Sequence, residues 1–158
     1  LAADAAAEGT LRTRLAGLAL KAPVALVGER SPIAANVAGK RFVFPQNPQA
    51  MESIRLSPAA DDPKATEFFA TMGGVEQRVT VAGGRWVKGE LKGGPAAGPV
   101  AVSGAWTAAD TFTLDVVRYR TPFVARYHLK FSGDGETVRL ETVMNVGPTP
   151  PALVGRRE

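Results

Sequence analysis

The chain contains no cysteine in its 158 residues. Disulfide staples, thiolate metal sites and thiol nucleophiles are thereby excluded, and a chain of this length buries a full core without them. It has a single histidine, His128, so no site needing two imidazoles can form. No apolar run reaches the length a membrane-spanning helix requires. The excess of basic residues is small, +4 in formal charge, and no block of five basic residues occurs. Acids are interleaved with the bases, as in "VEQRV" and "VRLE", which argues against a nucleic-acid footprint.

Catalytic signatures are equally scarce. None of Ser31, Ser53, Ser57, Ser103 and Ser132 has a lysine three positions on, and no Gly-x-Ser-x-Gly elbow exists. There is no Walker loop and no Gly-x-Gly-x-x-Gly opening a helix. "SGDGE" lacks the spacing of a calcium loop, and Asp61-Asp62 between prolines reads as a solvated turn. The sequence therefore indicates no catalytic residue, no metal ligands and no cofactor. The chain starts at Leu1, and residues 1–7 lack the form of a signal peptide. It reads as a piece of a longer protein, and both an exported and a cytoplasmic compartment fit.

What the sequence does contain is alternation. Residues 4–22 carry helical spacing, with Leu11, Leu15 and Leu18 on one stripe and Pro23 as the stop. The expectation is a leader helix that packs on the body of the protein or on a neighbouring domain. Residues 21–32 read as a linker, so 1–32 form a leader and 33–158 the main domain. From Ile33 the period falls to two. Val75, Gln77, Val79 and Val81 alternate with Glu76, Arg78 and Thr80, and Phe112, Leu114 and Val116 alternate with Thr111, Thr113 and Asp115. Ala125, Tyr127, Leu129 and Phe131 alternate with Arg126, His128 and Lys130. Gly83-Gly84 suits a tight hairpin, "SGDG" at 132–135 a turn, and 92–99 an irregular loop. Eight to ten short strands with one apolar face each predict an all-β antiparallel fold. Closure removes the unpaired edges, giving an up-and-down barrel of about eight strands with a short N-terminal helix.

Polar and aromatic candidates gather in "RYRTPFVARYHL", residues 118–129. His128 shares the charged face with Arg126 and Lys130, where a lone imidazole has no specified partner. Arg118 follows Phe112, Leu114 and Val116 in phase, so it points into the barrel near an end. It either pairs with an acid, Asp110 or Glu141, or grips an anion at the barrel mouth. Trp86 and Trp106 belong in the core with their indole N–H groups satisfied at its periphery. With Tyr127 they are candidate cavity-lining residues, since small barrels are either filled by side chains or hold one ligand.

The stretches "GAWTAADTFTLDVVRYRTPFVARYHLKFSGD" and "NVGPT", with "AGKRFVFPQN…MESIRL" earlier, resemble the C-terminal domain of serine hydrolases related to class C β-lactamases and penicillin-binding proteins. The resemblance covers about residues 33–156. It implies a lipocalin-like antiparallel barrel attached after a catalytic domain. That family's Ser-x-x-Lys and Tyr-x-Asn motifs do not occur here, since Tyr119 is followed by Arg-Thr and Tyr127 by His-Leu, so no catalytic role carries over. The expected role is a non-catalytic accessory or regulatory domain whose partner is its own serine hydrolase domain. Arg118, Tyr119, Arg120 and Pro122 are the candidate contact, and oligomerisation is left open. The alternative is a small-molecule-binding β-barrel.

Overall fold

The computed structural model describes residues 4–18, 20–26, 31–93 and 97–158. Helix α1 spans Ala5–Ala16, and a short α2 spans Ala34–Val37. Ten strands follow: β1 Arg41–Val43, β2 Met51–Pro58, β3 Ala65–Met72, β4 Val75–Ala82, β5 Val87–Leu91, β6 Gly98–Ala108, β7 Thr111–Val117, β8 Val124–Phe131, β9 Thr137–Met144 and β10 Leu153–Arg157. They form one antiparallel sheet in the order β4-β3-β2-β1-β10-β9-β8-β7-β6-β5. The expected barrel is present, with ten strands rather than about eight. Ten is the upper bound of the eight to ten strands counted in the sequence, and three of them are short: β1 has three residues, β5 and β10 five each.

The alternating faces fall where the sequence puts them. Phe112, Leu114, Leu129, Phe131, Val138 and Leu140 are buried inside, while Arg126, Lys130, Arg139 and Glu141 lie outside. Turns after β2, β4, β6 and β8 gather at one end. Helix α2 plugs that end: Val37 and Ile33 join the core, and Asn36 Nδ2 donates to the Asp134 carbonyl at 2.9 Å. Phe42, Phe112, Phe131 and Trp106 fill the same end, with ring centroids 5.3 to 5.5 Å apart in edge and tilted pairings. The seam between the chain's two ends is closed by the β1–β10 ladder, where Glu158 N–H donates to the Arg41 carbonyl at 3.0 Å.

The Gly83-Gly84 segment is not a tight hairpin. β4 and β5 follow one another in the chain but lie at opposite edges of the sheet, with Ala82–Arg85 the one backbone bridge between them among the described residues. At the plugged end the gap is sealed by β6. Gly104 admits Val81 and Phe112, since a Cβ there would lie 3.0 Å from both, and the Ser103 hydroxyl donates to the Ala82 carbonyl at 2.9 Å.

Helix α1 runs to Gly17, not to Pro23, and none of its residues is buried. Asp4 caps it by accepting from the Ala6 and Ala7 N–H groups. The expected packing of its leucines on the barrel does not occur: Leu11, Leu15 and Leu18 are all exposed. What docks instead is the segment read as a linker. Leu26 N–H donates to the Trp106 carbonyl at 3.0 Å, Gly84 N–H donates to the Pro23 carbonyl at 2.8 Å, and Pro23 is buried. Residues 20–26 thus strap the outside of the gap at its plugged end, while 27–30 lie outside the described residues. No described helix is long and apolar enough to cross a membrane.

Candidate functional site

The other end of the barrel is open. Five connections meet there, including 44–50, Gly73-Gly74, 118–123 and 145–152. They are tied by side-chain amides: Gln49 Nε2 donates to the Pro151 carbonyl at 2.8 Å, and Asn145 Nδ2 donates to the Pro122 carbonyl at 2.7 Å. Beneath this mouth is a cavity of about 300 Å³. Strand β3 contributes Phe68, Ala70 and Met72, β4 contributes Val75 and Val79, and Leu91, Leu114, Val116 and Leu140 complete an apolar wall. Among the inward positions of β3, Ala70 is small and leaves room between Phe68 and Met72, while the space at Gly89 on β5 is taken by Val79 and Val100.

Few polar groups reach the cavity. Gln77 spans the β4–β5 gap, its Nε2 donating to the Lys92 carbonyl at 2.6 Å and its Oε1 accepting the Lys92 N–H at 2.7 Å. Lys92 lines the rim. Tyr127 lines the wall and its hydroxyl makes no hydrogen bond among the described residues. Burial pushes the Tyr127 phenol above its ordinary value, and the charge of Arg118 opposes that rise. Arg118 is half-buried at the mouth, its guanidinium 5.7 Å from the Phe123 ring centroid. Thr142, the register partner of Tyr127 on β9, does not line the cavity; it is 5 % exposed, and its Oγ1 is buried without a partner among the described residues.

Of the three residues expected to line a cavity, only Tyr127 does. Trp106 points inward but lies in the aromatic plug, against Phe112 and Phe131. Trp86 stands outside the barrel wall, where its Nε1 donates to the Leu20 carbonyl at 2.9 Å. The break between β4 and β5 takes Trp86 out of the inward phase. Asp110 and Glu141 are not partners of Arg118. Asp110 accepts from the Thr111 hydroxyl and faces Lys130 at the plugged end, while Glu141 pairs with Arg139 on the outer face. Tyr119, Arg120 and Pro122 are exposed on the mouth turn, which Thr121 N–H closes onto the Arg118 carbonyl at 2.7 Å. His128 lies on the outer face, sharing a hydrogen bond with the Thr113 hydroxyl at 3.1 Å. No group of three or more metal-ligating side chains occurs among the described residues.

Sequence reasoning missed Gln77, Lys92 and Thr142. Gln77 was legible as an inward polar residue in an otherwise valine face, a pattern that calls for a buried partner. Thr142 was legible as the inward position between Leu140 and Met144.

Neither a family model nor a curated protein matches the chain. Among solved structures, a fatty-acid-binding protein from brain tissue of Drosophila melanogaster, determined without citrate inside, is similar with a TM-score of 0.57. The identity is 6 %, and the match covers 76 % of this chain and 98 % of that one. The likeness is one of fold: an antiparallel, nearly closed barrel.

Proposed function

We propose that this chain reversibly binds a small, largely apolar molecule inside its barrel and catalyses no reaction on it. The observation that carries the reading is the apolar cavity under the mouth, at the lower end of the volume range of ligand pockets. A void walled by Phe68, Val79, Leu114 and Leu140 forfeits contacts that a filled core makes, and an apolar guest restores them. The similar solved structure is that of a fatty-acid-binding protein, which is in keeping with a barrel of this kind used for binding. The test is an NMR titration of the protein with octan-1-ol. Saturable shifts centred on Val79, Leu91, Leu114 and Leu140 are expected. Shifts confined to the outer surface, or none, would remove the reading.

A second reading has one observation of its own. Helix α1 keeps Leu11, Leu15 and Leu18 exposed and buries nothing on the barrel. Such a stripe is what a second body would cover, and it supports the proposal that this is an accessory domain of a β-lactamase-related serine hydrolase. In that case Arg118, Tyr119, Arg120 and Pro122, grouped at the mouth, are the candidate contact. Joining this chain to such a catalytic domain and reversing the charge of Arg120 should change hydrolysis without unfolding the barrel; unchanged rates would count against the contact.

A further inference from the structure

The geometry points to a compact amphiphile as the ligand, of about ten non-hydrogen atoms, with its apolar tail on Leu114 and Leu140 and a monoanionic head at Tyr127 and Lys92. This inference rests on the cavity being a binding site and adds the size, orientation and charge of its occupant.

Size follows from how the barrel is filled. Phe42, Phe112, Phe131 and Trp106 occupy the plugged half, and Phe42 and Phe112 are each only 1 % exposed. The hollow lies above them. Its volume of about 300 Å³ equals roughly ten water volumes, so a long alkyl chain has nowhere to run below Leu114 and Leu140.

Orientation follows from where polarity is left over. The deep wall is apolar, and the hydroxyl of Tyr127, which lines it, has no hydrogen-bond partner among the described residues. A phenol in this state holds a donor that an acceptor atom can satisfy. Charge follows from the rim. Lys92 is the one charged residue among the described cavity-lining residues, and no carboxylate joins it. The field of Arg118 reaches the Tyr127 hydroxyl. A cationic head would meet the Lys92 ammonium there. A neutral head would use the Tyr127 phenol but not the charge of Lys92.

The experiment is calorimetric titration of the intact protein at neutral pH with octanoate, octan-1-ol, octylammonium and hexadecanoate. Octanoate is expected to bind at least tenfold more tightly than octan-1-ol, and octylammonium and hexadecanoate more weakly still. Tyr127→Phe should weaken octanoate roughly tenfold, the loss of one hydrogen bond to a charged group, and Lys92→Gln should narrow the gap between octanoate and octan-1-ol. If octan-1-ol or octylammonium binds as tightly as octanoate, the anionic head is overturned while the cavity remains a binding site. If hexadecanoate binds as tightly as octanoate, the size limit is overturned. If none of the four binds, the cavity reading itself fails.

Discussion

Gln77 does with its side chain what a β4 peptide would do in a ladder: both main-chain groups of Lys92 are bonded to its single amide, at 2.6 and 2.7 Å. Elsewhere along the opening, β4 and β5 meet through van der Waals contact, Val79 against Gly89 and Val75 against Gly93. Gln77→Leu keeps the volume and deletes the clip. Each bond is worth about 1 kcal/mol net, so global stability should fall by no more than about 2 kcal/mol. The Lys92 amide, by contrast, should lose most of its protection. Native-state hydrogen exchange reads this directly: unchanged exchange at Lys92 would mean the gap is held by something else.

On the outer wall, Arg126 forks onto Asp115, Nε to Oδ1 and Nη2 to Oδ2, both at 2.7 Å. The Asp115 side chain is 5 % exposed and that of Arg126 48 %. The bond from Asp115 raises the Arg126 guanidinium above its ordinary value. Removing the cation strands a buried carboxylate, which costs more than the pair is worth. Arg126→Met should therefore destabilise by about 2 kcal/mol after allowance for the exposed guanidinium. Adding Asp115→Asn should recover part of that loss. Urea denaturation of the two variants checks it, and equal stability of the single and double variants would refute it.

Acid should destabilise the fold in a defined window. Asp134 is held below its ordinary value first by the Ser132 hydroxyl, which donates at 2.6 Å, and then by the Glu136 N–H. Asp110 is lowered chiefly by the Thr111 hydroxyl, and Glu141 by Arg139. A depressed carboxylate contributes stability that is present above its unfolded value and lost as pH falls through its folded one. Urea midpoints should hold steady down to about pH 5 and decline below about pH 4. Asp134→Asn should make that decline shallower. A midpoint insensitive to acid would show that these groups do not couple to folding.

Two glycines set the barrel's closure. A Cβ on Gly104 would lie 3.0 Å from Phe112 and Val81, and one on Gly155 would lie 2.9 Å from the Phe44 ring. Gly104→Ala should cost about 1–3 kcal/mol through overpacking, with Gly155→Ala similar. Gly133→Ala has open space and ordinary backbone, so its melting temperature should match the parent. If all three melt alike, closure at β4–β6 does not depend on close approach.

Most of the wall was legible in the sequence, because one buried face per strand imposes a period of two that local residues report. Val75 to Val81 and Ala125 to Phe131 fell on the expected sides for that reason. The opening between β4 and β5 was not legible, since Gly83-Gly84 is equally good chemistry for a turn that pairs its strands and for one that does not. Trp86 was placed in the core as a large aromatic, whereas its indole N–H donates to the Leu20 carbonyl outside. The leucine stripe of α1 has the spacing of a packed helix, but spacing cannot say whether a partner is present within the chain. The cavity itself depends on which inward residues are small and on how far the aromatic plug reaches, and both are properties of strands brought together from distant positions.

The β1–β10 ladder has a mechanical meaning. The sheet is a strip whose first and last strands, β1 and β10, are laced to one another, while the seam with least backbone pairing among the described strands runs beside an unbroken stretch of covalent chain at 83–86. A change in girth therefore breaks the fewest ladder bonds along that seam. On the proposed function, the swelling that admits a guest would run along that one line of the surface.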